Sequence, residues 1–415
     1  MRNGSEMRMT RILAMTALVF LSCAFMAANA EEPDSTSIQH KLGFELRTAY
    51  VLPTNNFLTG DYEGGKAIRE SYSAHARYAF QFSPESQRGK IFGEPYQGIG
   101  AAFYTFNQTE HLGSPFALYA FQGSSLKRLS ATASLNYEWN FGVSAGWKPY
   151  NADSNSQNHS IGSKIDAYID ANIYVRWRLS KEIDLLTGIG FTHFSNGNTE
   201  LPNAGLNLLG ARIGIVYNLN SSHEMAKKQA LILPFPKHFS CDVMWFGSWK
   251  RKGINVGDGQ MMAASDAYAV TGFNINPMWN FDYRLRIGAS VDGYYDASAN
   301  LVMDDYIVPL GGNNKLSEEE LNNNIITPPV RKQCALGLSA RAEYVMPYFS
   351  INFGLGRNLI ASGDLKSWYQ ILALKIGITR NTFLHVGYSL LDFHTPNFLM
   401  LGIGFRIGNK YPKLK

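Results

Sequence analysis

Between Ile165 and Leu179 the chain switches polarity at almost every residue. Ile165, Ala167, Ile169, Ala171, Ile173, Val175, Trp177 and Leu179 take the odd positions. Asp166, Asp170, Asn172, Arg176 and Arg178 take even ones. Successive residues of a strand point to opposite sides, so a period of two sustained this long describes a strand with one apolar and one charged face. Residues 128–147 show the same pattern. Leu129, Ala131, Ala133, Leu135, Tyr137, Trp139, Phe141, Val143, Ala145 and Trp147 alternate with Arg128, Ser130, Thr132, Ser134, Asn136, Glu138, Asn140 and Ser144. That run is too long for an ordinary soluble strand. It is either one tall barrel strand or a hairpin with an even-numbered turn.

Two architectures accept such strands. In a soluble sandwich the polar face meets water and the apolar face a core; in a membrane barrel the apolar face meets lipid and the charges fill the lumen. The N-terminus favours the second. Arg8 and Arg11 precede an apolar run from Ile12 to Met26, and Ala28-Asn29-Ala30 forms an A-x-A site before Glu31, so residues 1–30 read as a secretory signal peptide. Ser22-Cys23 offers a looser lipobox alternative. Beyond the leader no apolar run is long enough for a membrane helix, yet the chain is rich in Gly, Tyr and Phe and only 17% charged. The expected fold class is therefore all-β, a transmembrane antiparallel β-barrel of the outer-membrane type. Asp166 and Asp170 are expected to balance Arg176 and Arg178 inside the lumen. The seven tryptophans, Trp139, Trp147, Trp177, Trp245, Trp249, Trp279 and Trp368, suit in part an interfacial girdle.

Charge and cysteines exclude several classes. The formal charge of +5 falls to +3 once the leader's three arginines and one glutamate are removed. No Lys/Arg block is present, which argues against a nucleic-acid partner. Outside the leader only Cys241 and Cys334 remain, far apart in sequence: no disulfide framework and no metal spacing, although one long-range disulfide is compatible with export.

Strand-like segments begin with Leu42–Val51, Tyr72–Phe82, Gly98–Phe106 and Pro115–Gln122. Polar or Gly/Pro-bearing turns at Pro53–Gly60, Ser83–Lys90 and Asn107–Gly113 separate them. Gly98-Ile99-Gly100 reads as a close-packing feature of an aromatic strand, not a phosphate loop. Tyr150–Gly162 is a polar loop, and Asn218–Ala230 the expected boundary. The domains are then 1–30, leader; 31–220, a first barrel half; and 221–415, a second. The second half resembles the first: Val386-Gly387-Tyr388-Ser389 aligns with Ile189-Gly190-Phe191-Thr192, and Leu399–Gly402 with Asn207–Gly210. Two tandem eight-stranded barrels are expected, with a single larger barrel the runner-up. The insert Asp304–Val330 carries a capping box at Ser317-Glu318-Glu319-Glu320 between Leu316 and Leu321, which predicts a short helix. His394, beside Pro396, reads as a turn residue.

The chemistry concentrates at Thr192–Asn198. Ile183, Leu185, Ile189 and Phe191 share the odd, apolar face, and His193 and Ser195 continue it. After the turn the face resumes with Asn207, Leu209, Ala211, Ile213 and Ile215. A symmetric hairpin puts Asn207 opposite His193. An idle His, Ser and amide on an apolar surface would cost free energy; together they form a nucleophile, a base and an orienting group. Asn196-Gly197-Asn198 adds backbone N–H groups in a turn suited to positive φ, as an oxyanion nest requires. The structural alternative for the same residues is a polar pair capping a turn. In the second half His193, Ser195 and Asn207 align with Leu390, Asp392 and Leu399, so the polar trio is missing there.

His193-Phe194-Ser195-Asn196 followed by Pro202-Asn203-Ala204-Gly205 resembles the signature of the PagL family, the outer-membrane lipid A 3-O-deacylases. The resemblance spans about residues 40–218, with its specific part at 189–215. It implies an eight-stranded barrel with a Ser–His site on its lipid-facing wall. By this resemblance Ser195 is the nucleophile, His193 the general base, and Asn196 with Gly197 lines the oxyanion hole; Asn203 matches a further motif Asn. One departure stands out: the family's acidic third member aligns with Asn207, an amide. Glu200, in the turn, is an alternative acid. The implied function is that of a serine esterase of the bacterial outer membrane, with lipid A or a related lipid as substrate and neither metal nor organic cofactor. A non-catalytic barrel acting as scaffold or channel is the alternative.

Overall fold

The computed structural model describes residues 38–62, 64–219, 231–255, 261–263, 266–303, 324–393 and 395–414. The leader, the boundary stretch from 220 to 230, the helix expected near 316–321 and His394 lie outside the described residues.

Eight strands close the first barrel: β1 (Ile38–Val51), β2 (Glu70–Phe82), β3 (Tyr96–Phe106), β4 (Gly113–Arg128), β5 (Ala133–Trp147), β6 (Ile165–Arg178), β7 (Ile183–Ser195) and β8 (Leu206–Asn218). Each pairs antiparallel with the next, and β8 returns to β1, with Lys41 opposite Asn218. Eight more close the second: β9 (His238–Lys250), β10 (Tyr268–Asn280), β11 (Leu285–Asp296), β12 (Cys334–Val345), β13 (Phe349–Ile360), β14 (Trp368–Gly377), β15 (Thr382–Leu391) and β16 (Thr395–Ile407). A single larger barrel is therefore ruled out. No helix among the described residues is long and apolar enough to cross a membrane.

Inside and outside follow the period-two pattern. Leu46, Ile173, Ile189, Leu209 and Ile213 face outward from the first barrel and Trp245, Ile287, Leu338 and Phe353 from the second. The polar residues turn into the lumens. In the first, Glu45 bridges Arg47, Arg77 and Arg212, Glu138 holds Arg77 and Arg212, and Asp170 takes Arg47 at 3.0 Å. In the second, Asp242 and Glu343 are shared among Arg286, Lys375 and Arg406. A charge removed from water is tolerated only when paired, and closure brings carboxylates of one strand against cations several strands away.

This corrects the pairing expected within β6. Asp170 is matched by Arg47 of β1, Arg176 reaches Glu94 at 3.7 Å, and Arg178 is exposed. Asp170 and Arg176 share a side of β6 but stand six residues, about 20 Å, apart along it, whereas closure of the wall brings Arg47 of β1 within reach across the lumen. The 128–147 run is also resolved. Arg128 ends β4, residues 129–132 form a four-residue turn closed by Leu129 N–H to Ala133 O, and β5 follows. Leu129 and Ala131, counted as strand from their alternation, are turn residues.

Above the ionic layer of the first lumen lies an aromatic plug. Tyr104, Tyr119, Trp147, Tyr168 and Phe194 pack with Phe57, Leu58 and Leu112 from short helices in the β1–β2 and β3–β4 loops. Trp147 therefore belongs to this core and not to a girdle, whereas Trp177, Trp245 and Trp368 do face outward. Cys241 and Cys334 are both free. They sit toward opposite ends of the second barrel, opposite Ile407 of β16 and Tyr295 of β11 respectively, so no disulfide joins them.

The barrels touch along one side with their long-loop ends together. At the short-turn end, Phe80 and Phe82 of β2 pack on Tyr348 of the β12–β13 turn, and Ile91 and Phe92 cluster with Tyr283 and Phe235. At the long-loop end, the β7–β8 turn meets Arg251 and the start of β16.

Candidate active site

His193 and Ser195 end β7, and Asn207 opens β8. The β7–β8 register pairs His193 with Asn207 directly. Their side chains project from the outer wall, half-buried, while Thr192 and Phe194 between them point inward. Both inward residues are anchored. Thr192 donates through Oγ1 to Asp170 at 2.8 Å, which ties the strand to the ionic layer. Phe194 is fully buried, with ring centroids 4.9 Å from Trp147 and 5.2 Å from Tyr104. A strand fixed on alternate residues from inside has little freedom to turn the intervening ones outside.

The geometry of the trio is continuous. His193 Nδ1 lies 2.7 Å from Asn207 Oδ1, and His193 Nε2 lies 2.9 Å from Ser195 Oγ. Because Asn207 presents its carbonyl oxygen, Nδ1 carries the proton and donates. Nε2 is then left with its lone pair toward the Ser195 hydroxyl, the tautomer a general base needs. Gly205 lies against the ring: at φ +73°, a Cβ there would come within 3.0 Å of His193 Cε1. Ala167 and Ile169 of β6 stand across from Ser195 and His193 and leave an apolar strip beside the hydroxyl.

The turn from Asn196 to Gly205 is ordered by its own amides. Gly197 and Asn198 both adopt positive φ, +66° and +68°. Asn196 N–H donates to Asn203 Oδ1 at 3.1 Å, Asn203 Nδ2 donates to Asn198 Oδ1 at 3.2 Å, and Asn196 Nδ2 donates to Glu200 O at 3.1 Å. The Asn196 amide, assigned from sequence to an oxyanion hole, thus already has an acceptor; Gly197 N–H donates to no group among the described residues. From the β5–β6 loop, His159 O and Ser160 O accept from Ala204 N–H and Gly205 N–H at 3.1 and 3.0 Å. Glu200 turns away from the imidazole and pairs with Arg251 of the second barrel at 2.7 Å. Among the described residues no cluster of three or more His, Cys, Asp or Glu side chains could hold a metal ion.

Among the described residues the second barrel has no counterpart. The expected alignment set Leu390 opposite Leu399, as His193 is opposite Asn207. The register instead pairs Tyr388 with Leu399 and Leu390 with Pro396, across a shift after Ser389. A shorter turn closes this hairpin, which moves the pairing by two residues. His385 points into the lumen, fully buried. Thr192, Phe194 and Gly205 stand in the motif stretches but have no role assigned from the sequence, although the burial of alternate residues on an amphipathic strand is the available signal for the first two. Arg251 had none, since only the docking of the barrels brings it near.

Fold and surface together define an outer-membrane-type β-barrel protein whose lipid-facing wall carries a linked Ser–His–Asn set. The family model described as lipid A 3-O-deacylase (PagL) matches residues 122–216, and that described as the acyloxyacyl hydrolase C-terminal domain (PagL_C) matches 239–410. The chain belongs to the PagL-like family, a family of hydrolases. Its second half, read from sequence as a degenerate copy, is thus matched in its own right. No curated protein matches the chain. Among solved structures it is similar to Neisserial surface protein A, with 7% identity over 43% of this chain and 97% of that one, TM-score 0.29. The translocator domain of the autotransporter NalP from Neisseria meningitidis is similar at 6% identity over 94% and 96%, TM-score 0.21.

Proposed function

We propose that the chain is an outer-membrane serine esterase that removes an ester-linked acyl chain from lipid A or a related membrane lipid. The observation that carries this reading is the hydrogen-bonded line from Ser195 through His193 to Asn207 on a surface that faces lipid. An ester at the edge of the hydrocarbon region reaches such a surface without leaving the membrane, and its acyl chain runs along the apolar strip of Ala167 and Ile169.

Ser195 Oγ attacks the ester carbonyl carbon while His193 Nε2 takes the hydroxyl proton. Asn207 holds the imidazole in the productive tautomer and angle. Of the two turn amides, only that of Gly197 is left for the tetrahedral oxyanion; each such donor lowers the barrier by on the order of 3 kcal/mol. Collapse expels the sugar alkoxide, which takes the proton from His193. A water activated by the same nitrogen then splits the acyl-enzyme and releases the fatty acid. The family's lipid A substrate supports this choice of ester.

A fluorophosphonate tests the chemistry independently of the substrate. The purified barrel should become labelled at Ser195, and His193→Ala should slow labelling by at least about a hundredfold. Labelling at another serine would mean that Ser195 is not the nucleophile, and none in a folded barrel would favour the scaffold or channel alternative.

A further inference from the structure

Among the described residues the second barrel carries no trio, yet it contacts the first at the turn that follows the candidate nucleophile. Four contacts converge there. Arg251 backbone N–H donates to Asn198 O at 2.8 Å, and its guanidinium pairs with Glu200 at 2.7 Å. Asn198 Nδ2 reaches Asn397 O at 3.4 Å. Leu399 lies so close to Gly197 that a Cβ on that glycine would fall 2.6 Å from its Cγ. The partner side is itself braced: Lys250 donates to Asn397 Oδ1 at 2.9 Å and pairs with Asp296 at 2.6 Å.

These contacts land on Gly197, Asn198 and Glu200, within a few residues of Ser195. Two of those residues hold positive φ, a conformation that a free turn adopts only part of the time. The first barrel fixes the far end of the turn, through the β5–β6 loop at Ala204 and Gly205. Its near end, which carries the candidate oxyanion amide, is held by the turn's own amides and, from outside the turn, by the second barrel.

We infer that the second barrel is a working part of the esterase, with Arg251 a positioning residue that holds the Asn196–Glu200 turn, through Glu200 and Asn198, in the shape the reaction needs. The inference rests on the esterase reading above. The contacts of Arg251 to this turn fall on Glu200 and Asn198, so its loss should fall on turnover and leave substrate binding nearly alone.

The test uses the full-length chain refolded in detergent micelles, with purified lipid A as substrate and a heat-modifiable gel shift to confirm folding. Arg251→Glu and Glu200→Arg each place like charges together and should lower kcat about tenfold, a loss of the size that small misplacements cause, with KM within about twofold. Glu200→Gln, which introduces no repulsion, should give a smaller loss in the same direction. The exchanged pair, Arg251→Glu with Glu200→Arg, should recover most of kcat. If the folded single variants turn over like the parent, lose only KM, or are not rescued by the exchange, the inference is overturned; should they fail to fold, an undiminished kcat in Glu200→Gln overturns it. Ser195→Ala in the same assay separates the two readings. An active Ser195→Ala removes the esterase itself, whereas an inactive Ser195→Ala beside a fully active Arg251→Glu removes only the role of the second barrel.

Discussion

Which nitrogen of His193 carries the proton is decided by Asn207. An amide can accept from Nδ1 as a carboxylate would, but it adds no charge to stabilise the imidazolium that the proposed proton transfer from Ser195 would form. The site thus keeps the tautomer and gives up part of the electrostatic help. Asn207→Ala should lower the deacylation rate without abolishing it. Asn207→Asp keeps the size of the side chain and its 2.7 Å contact. Since a charge-assisted hydrogen bond contributes about 1 kcal/mol more than a neutral one, it should raise the rate about five- to tenfold. Both are read from initial rates on micellar lipid A. No gain in the aspartate variant would mean that the imidazolium is not limiting. Glu200 was the other acid within sequence reach of His193, and its pairing with Arg251 removes it from that role.

Strand β7 shows how a site can be built on an outer wall. Its inward residues do the anchoring and its outward residues face the membrane. Phe194→Ala would empty part of the aromatic plug, at a cost of about 3–5 kcal/mol, and should lower the urea midpoint and the activity together. On the same wall Ile213 faces outward opposite Leu46. An Arg at that position near the membrane midplane should cost about 2–4 kcal/mol in refolding titrations into vesicles; a negligible cost would deny that this surface meets lipid. Much of this was legible from period two alone: which face is apolar, that His193 and Ser195 share it, and that Asn207 returns opposite His193. The partner of Asp170 was not legible, because closure of the barrel and not spacing along β6 brings Arg47 to it. Nor was the register of the last hairpin, where a shorter turn shifts the pairing that similarity to the first half had suggested.

At the scale of the whole molecule the two barrels stand side by side with their long loops at one end, which fixes a common orientation across a membrane. Cys334, exposed at the long-loop end of β12, should react with a membrane-impermeant maleimide in intact cells. In a Cys334→Ser background Ser154→Cys, in the β5–β6 loop, should react as well, and Ser130→Cys, in the opposite turn, should not. Reaction at Ser130→Cys but not Ser154→Cys would invert the first barrel and remove Ser195 from the outer leaflet. With that orientation, the esterase is tested most directly by mass spectra of lipid A from cells producing the protein or its Ser195→Ala variant at equal, folded levels. The protein should shift lipid A down by the mass of one ester-linked acyl chain, and Ser195→Ala should leave it at full mass. An identical loss with Ser195→Ala, or no loss with either, would contradict the account.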